Sequence, residues 1–431
     1  MTRMTHASEG RASVRTALFA LLFPALCLAA VLSGAQEAQA QEFKLGGFIK
    51  ASYYYDTQQL VAAREGDFLL YPAFATSADD EPNDTDNLLF FPFFSRLSLG
   101  ISDLPETLGA KTTGYLETDF FGPGNDTQNT LRIRRATVKL DWATHEVLAG
   151  MEWSPLFLSS WARTVATEAG APFNPFAREM MIKLVLKPGN FRVTGLISQQ
   201  RDAFQEIPFT PPGGATVPGV KQQQQAGLPG VMMGVEYVAE GGSTVGVNSY
   251  YKWIRPTLTS DRFSAGTVQA YANLLTPGLE ARGNITFGGD LSDHLMTGGY
   301  AVIGPLADNN FEPLNTVAGW LDLQTTGAVS LGIFGGYLQN LGTAEDGIDP
   351  TTVQFVARGY GGTPIENVWR VSPRLTYTSG KVRIGAEVQA TGANYVTGAT
   401  VADVYDDSLT PSGTTEGVIN IRGDLSVFLF F

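Results

Sequence analysis

Side chains suited to covalent or metal chemistry are scarce here, with one cysteine and three histidines among 431 residues. Cys27 lies inside an apolar N-terminal run behind Leu26, where a lipoprotein signal would place a small residue, so lipidation is not expected. His145 falls in a short turn and His294 in a long connection. At opposite ends of the fold, they cannot share a Ser-His-Asp set or a metal cluster. Both are expected on solvated surface. No G-x-S-x-G, P-loop or dinucleotide fingerprint occurs. The acidic stretch Asp79-Asp80-Glu81 with Asp84 and Asp86 could hold calcium or bridge to lipid head groups. It lacks a regular oxygen-ligand spacing and reads better as a solvated loop. No catalytic residue, metal or cofactor is expected.

What the residues do support is electrostatics. Period-2 segments recur along the chain, and their polar faces are rich in bases: Arg96, Lys111, Arg132, Arg134, Lys139, Arg282, Arg370, Arg374, Arg383 and Arg422. Acids on those faces are fewer and include Glu117, Asp119, Asp141, Glu152, Glu236, Glu280, Glu387 and Asp424. The connections reverse the balance, since the first holds Glu65, Asp67 and five more acids against Arg64. A formal charge of −13 argues against nucleic acid, yet it hides a basic wall beneath acidic loops. Basic rings in a pore favour anions. The opposing expectation is that wall charges pair off, with Asp119 facing Arg132 and Glu117 facing Arg134 across a hairpin.

The elements that must position these charges are strands. Forty-eight glycines and 11% aromatics fit half-buried strands, and beyond the N-terminal run no stretch reaches the ~18 apolar residues of a membrane helix. Sixteen alternating segments run from Phe43–Asp56 to Gly417–Phe431. Leu295–Val302 would make an odd count and is read as structured loop. Short links such as Pro188-Gly189-Asn190 and Ser379-Gly380 alternate with long ones. This pattern predicts a transmembrane antiparallel up-and-down β-barrel of about sixteen strands, with short periplasmic turns and long extracellular loops. In the last strand, Phe431, Leu429 and Val427 share an apolar face opposite Asn420, Arg422, Asp424 and Ser426. A terminal Phe of this kind resembles the signal read by the outer-membrane barrel assembly machinery. Tyr53, Tyr55, Trp153, Tyr251, Trp253, Tyr337, Trp369 and Tyr377 are expected outward, as a lipid belt or as packing between subunits. At Arg134-Arg135 the apolar parity switches. Either a bulge keeps both arginines on the water side or one snorkels toward head groups.

The third long loop, Pro155 to Glu179, holds Trp161, Arg163, Glu168 and Arg178. Folded inward it would form a constriction; the alternative lies on the outer rim. Residues 1–40 read as a cleaved secretory signal: Arg3, Arg11 and Arg15, an apolar core from Ala17 to Leu32, then Ala38-Gln39-Ala40. Residues 41–431 form the barrel domain.

The run Leu131-Arg-Ile-Arg-Arg-Ala-Thr-Val-Lys-Leu-Asp-Trp142 followed by Leu148-Ala-Gly-Met-Glu-Trp153 resembles the DcaP-like family of outer-membrane porins. Arg64-Glu65-Gly66-Asp67, Gly170-Ala171-Pro172-Phe173, Gln200-Arg201-Asp202, Phe334-Gly335-Gly336-Tyr337 and Arg374-Leu375-Thr376-Tyr377 extend the resemblance over most of the chain. It implies a sixteen-stranded porin, a homotrimer in the outer membrane of a Gram-negative-type bacterium, admitting small anionic solutes such as carboxylates. Some members carry a coiled-coil arm before the barrel; here the first strand starts almost at the cleavage site. Two functions remain: a passive diffusion channel, or a barrel scaffold whose acidic loops bind a partner as an adhesin or receptor does.

Overall fold

In the computed structural model the described residues are 41–74, 83–122, 127–158, 160–200 and 207–431. Residues 1–40, read above as a secretory signal, and Asp79-Asp80-Glu81 lie outside them. The wall strands are β1 (Glu42–Asp56), β4 (Asn87–Phe91), β5 (Arg96–Ser102), β6 (Lys111–Asp119), β7 (Arg132–Asp141), β8 (His145–Trp153), β9 (Arg178–Leu186) and β10 (Phe191–Gln200). The wall continues with β11 (Gly230–Val238), β12 (Thr244–Ile254), β13 (Phe263–Thr276), β14 (Leu279–Gly289), β16 (Phe311–Thr325), β17 (Val329–Gly342), β19 (Ile365–Ser379), β20 (Val382–Thr397) and β21 (Thr414–Phe430). β4 and β5 both pair with β1 and act as one stave interrupted at Pro92–Ser95. The result is a closed antiparallel barrel of sixteen staves. β1 closes on β21, with Phe48 opposite Phe430 and Asp56 opposite Arg422.

Alternation builds the wall. On β21, Ile419, Ile421, Leu425, Val427 and Leu429 are exposed, while Asn420, Arg422, Asp424 and Ser426 are buried. The exposed apolar face runs around the barrel and suits hydrocarbon, while closure leaves the wall no unpaired edge. The chain is an outer-membrane β-barrel. No described helix is long and apolar enough to cross a membrane. Tyr53, Tyr55, Tyr251, Tyr337 and Tyr377 are exposed on the outside, with Trp253 and Trp369 half-buried. Trp153 is a correction, because it is buried inside against Phe157 and Phe176. It ends β8 where the chain turns inward, and the turn takes it out of the alternating pattern.

Two further corrections concern the long connections. Leu295–Val302 contains a true strand, β15 (Gly298–Ile303), paired with β18 (Val353–Arg358) and the start of β16. It extends the sheet beyond the barrel staves and leaves their number even. The first connection does not stay outside. In its hairpin, β3 (Phe68–Pro72) is buried within the barrel and pairs with the half-buried β2 (Leu60–Ala63).

Candidate functional site

A short helix, α1 (Pro155–Leu158), carries the third long loop off the end of β8. The loop then touches strands around the far wall. Gln269 Nε2 donates to the Leu156 carbonyl at 2.8 Å, Ser160 Oγ to Asn273 Oδ1 at 2.8 Å, and Asn284 Nδ2 to Asn174 Oδ1 at 3.0 Å. On β20, Glu387 accepts from the backbone N–H groups of Val165 at 2.5 Å and Ala166 at 3.1 Å, and also from Ser372. On β1, Lys50 Nζ donates to the Val165 carbonyl at 3.1 Å and Thr167 Oγ1 at 3.0 Å. A segment joining β8 to β9 that bonds to β1, β13, β14 and β20 must cross the lumen. Two wall glycines make the approach possible. A Cβ on Gly336 would lie 2.5 Å from the Phe173 ring, and one on Gly385 would lie 2.7 Å from Val165.

The first hairpin packs against this loop. Asp67 accepts from Tyr54 Oη at 2.9 Å and Thr167 Oγ1 at 3.2 Å. Burial pushes its carboxyl up, against the pull of Lys50. Arg370 fastens both segments. It donates to Glu168 at 3.1 Å and the Ala171 carbonyl at 2.9 Å, and to the Leu69 and Leu70 carbonyls at 3.2 and 3.1 Å. Gln389 also donates to Glu168, at 2.5 Å.

The basic residues named from the sequence thus divide by environment. Arg370, Arg374 and Arg422 are fully buried: Arg374 forks onto Asp322 at 2.8 and 2.7 Å, and Arg422 forks onto Asp56 at 2.9 and 2.8 Å. Arg134 is buried between Glu117 at 2.8 Å and Asp119 at 2.6 Å. These four are ties within the interior. Others reach water. The Arg132 side chain is 13% exposed over an Asp119 at 0%, Arg135 is 27% over a Glu152 at 4%, and Arg96 is 19% over a Glu117 at 6%. In each pair the arginine side chain is more exposed than the carboxylate it meets.

A second group lies by the third loop. Arg163, 38% exposed, approaches Glu280 at 3.5 Å, which also takes Arg282 at 3.1 Å; Arg163 covers the Trp161 ring at 5.5 Å. Burial and the neighbouring Arg282 pull the Arg163 guanidinium down, so like charge is crowded here. Arg383 and Lys111 are exposed, and Lys139 pairs loosely with Asp141 at 3.5 Å. Arg178 is buried against the Trp153 ring at 5.2 Å, at the start of β9.

At Arg134-Arg135 the pairing slips between Glu117 and Thr118, so Arg134 is an extra residue and both arginines turn inward. Asp119 does face Arg132, at 2.8 Å. Sequence reasoning did not single out Tyr54 or the β2–β3 hairpin. The signal was Phe68-Leu69-Leu70-Tyr71, an apolar run misplaced in a solvated acidic loop.

His294 is also corrected, since it is fully buried instead of solvated. Its Nδ1 lies 2.7 Å from Asp293 and its Nε2 3.4 Å from Glu179. Burial alone would lower its pKa, but Asp293 and Glu179 outweigh it and raise it to about 9. A raised value means the charged ring stabilises the fold fully below its ordinary 6.5, and that contribution fades as pH climbs through about 9. Protease resistance of the Asp290–Ile303 connection should therefore fall on alkaline titration, and His294→Gln should abolish the dependence. Asp290 and Asp293 are meanwhile taken by Lys252 at 3.1 and 2.9 Å. Among the described residues no group of three or more His, Cys, Asp or Glu could hold a metal. His145 stays near a short turn, stacked on Trp142 at 4.4 Å.

No family model and no curated protein matches this chain. Solved structures do. The outer membrane channel DcaP of Acinetobacter baumannii is similar at 14% identity with a TM-score of 0.67, covering 93% of this chain and 100% of that one. An anion-selective porin from Comamonas acidovorans follows at 11% identity and 0.54, over 91% of this chain and all of that one. OmpT, an outer membrane protein of Vibrio cholerae solved in a trimer form, matches at 9% and 0.51 over 91% of this chain and all of its own. The fold is that of DcaP-like outer-membrane porins.

Proposed function

We propose that this chain, with the porin fold as premise, is a passive diffusion channel for small hydrophilic solutes with a modest preference for anions. The supporting observation is the layering of charge on the lumen wall. The side chains of Arg96, Arg132 and Arg135 are partly exposed, while Glu117, Asp119 and Glu152, which they pair with, are buried. A passing solute meets the outer layer at short range, and low-dielectric walls concentrate its field. Arg163, on the third loop, is likewise more exposed than the Glu280 it approaches, and Arg282 adds a second guanidinium there. On this reading Trp161, Arg163 and Glu168 belong to the constriction segment, with Glu168 anchoring it to Arg370. Arg178 supports the wall behind it.

The same reading has the chain exported on residues 1–40 and inserted by the barrel assembly machinery through Phe431, Leu429 and Val427. It acts as a homotrimer in the outer membrane and performs no chemistry on its solutes. Carboxylates are the natural solute class, because guanidinium forks match them. The competing reading is a plugged scaffold displaying its loops. It draws on the packing of the outer connections, where Tyr360, Val404, Tyr405 and Leu409 share a buried cluster. Liposome swelling separates the two: acetate and small neutral sugars should swell vesicles containing the protein, and a scaffold would leave them unswollen.

A further inference from the structure

A porin lumen is expected to be polar, yet four phenyl rings meet on this one. Phe48 interrupts the polar face of β1, and Phe428 and Phe430 continue the inward face of β21 beyond Asp424 and Ser426. Phe94 joins them from the break between β4 and β5. Phe48 lies 5.9 Å from Phe94, 6.0 Å from Phe428 and 5.9 Å from Phe430, and the last two stack within 2° of parallel. All four rings are half-buried. They form a floor one pleat from Lys50, toward the short-turn end and beside the third loop that Lys50 holds.

Lys50 Nζ lies 5.3 Å from the Phe94 and Phe428 ring centres, and two further cations flank the floor. Arg96 lies 5.0 Å from the Phe48 and Phe94 ring centres, and Arg383 lies 5.2 Å from that of Phe430. Arg96 is weakly engaged, since its ion pair with Glu117 is long at 3.7 Å. Its Nε–H is buried and has no protein acceptor among the described residues. A buried donor of that kind costs free energy unless something accepts from it. Arg383 is exposed, and its one acceptor among the described residues is Thr378 Oγ1, at 3.3 Å.

We propose that the floor is a binding subsite for an aromatic carboxylate. The solute's ring packs edge-on or offset against Phe48 and Phe428, and its carboxylate takes the terminal N–H donors of Arg96, with Arg383 drawing it along the floor. Offset and edge contacts are the favoured geometries between aromatic rings. A guanidinium gives a carboxylate a charge-assisted hydrogen bond, and two where its fork is open. This inference rests on the channel reading and names its solute class. Packing of the β1–β21 seam is the competing account of the rings, and it predicts no discrimination among solutes.

The test is block of chloride current through the whole protein in planar bilayers at slightly alkaline pH. Benzoate is compared with cyclohexanecarboxylate, which matches it in charge and approximate size but lacks the π-face. Benzoate should block at about two- to tenfold lower concentration, the range expected for one added ring–ring contact. Phe48→Leu and Phe94→Leu, which keep the floor apolar, should bring the ratio toward one. Only variants with heat-shifted gel migration, and hence a folded barrel, are scored. Equal block by the two acids in the unaltered protein overturns the subsite while an anion-selective current leaves the channel reading standing. Absence of current overturns both.

Discussion

Arg370→Ala should give a larger and noisier single-channel conductance, with the barrel still folded by heat-shifted migration. This side chain ties both the third loop and the first hairpin to β19, through Glu168 and the carbonyls of Leu69, Leu70 and Ala171. Its loss leaves Glu168 buried with Gln389 as its remaining hydrogen-bond donor. Stranding one member of a buried pair costs about 3–5 kcal/mol. The wall has sixteen staves of ladder hydrogen bonds and survives such a loss. The crossing segments depend on a few side-chain bonds, so the strain falls on them. Arg370→Lys should be intermediate, because an ammonium keeps the charge but cannot serve carbonyls on two segments in fork geometry. Unchanged conductance in Arg370→Ala would mean that the segments are held elsewhere.

Arg422→Ala should weaken closure of the barrel. Arg422 forks onto Asp56 across the β1–β21 seam and reaches the Gly66 carbonyl at 2.6 Å. Asp56 keeps only the Asn420 amide, at 2.8 Å. The expected cost is again about 3–5 kcal/mol, read as a lower temperature for loss of the compact gel band. The double variant Asp56→Asn/Arg422→Ala should recover part of that loss, because no charge is left stranded. If the double variant were as unstable as the sum of the singles, the pair would not be what ties the seam.

The wall was legible because a barrel in lipid obeys one period. Residues such as Leu425, Val427 and Leu429 must face outward, and their neighbours must not. The pairings Asp119–Arg132 and Glu117–Arg134 followed from opposing two adjacent strands, and the bulge at Arg134 from a break in parity. Alternation says nothing about where a loop goes. The inward turn of Phe68–Tyr71 was written in its apolar composition, while the entry of Asp67 and Arg64 depended on partners far along the chain, Arg422 at the Asp67 carbonyl and the Gly122 carbonyl at Arg64. His294 was misread for the same reason: its acidic cage is assembled from Glu179 on β9 and Asp293 beside it. The division of wall bases into buried ties and water-facing pairs is equally tertiary. Arg132 and Arg134 have near-identical sequence surroundings, and only the bulge separates their environments.

The most direct test of the channel account is the reversal potential of the purified protein in a planar bilayer under a potassium chloride gradient. Layered pairs that put Arg96, Arg132 and Arg135 toward the lumen predict a potential of the sign that chloride permeation sets, moving toward zero in Arg132→Gln and Arg135→Gln. A potential of the sign set by potassium would contradict the account.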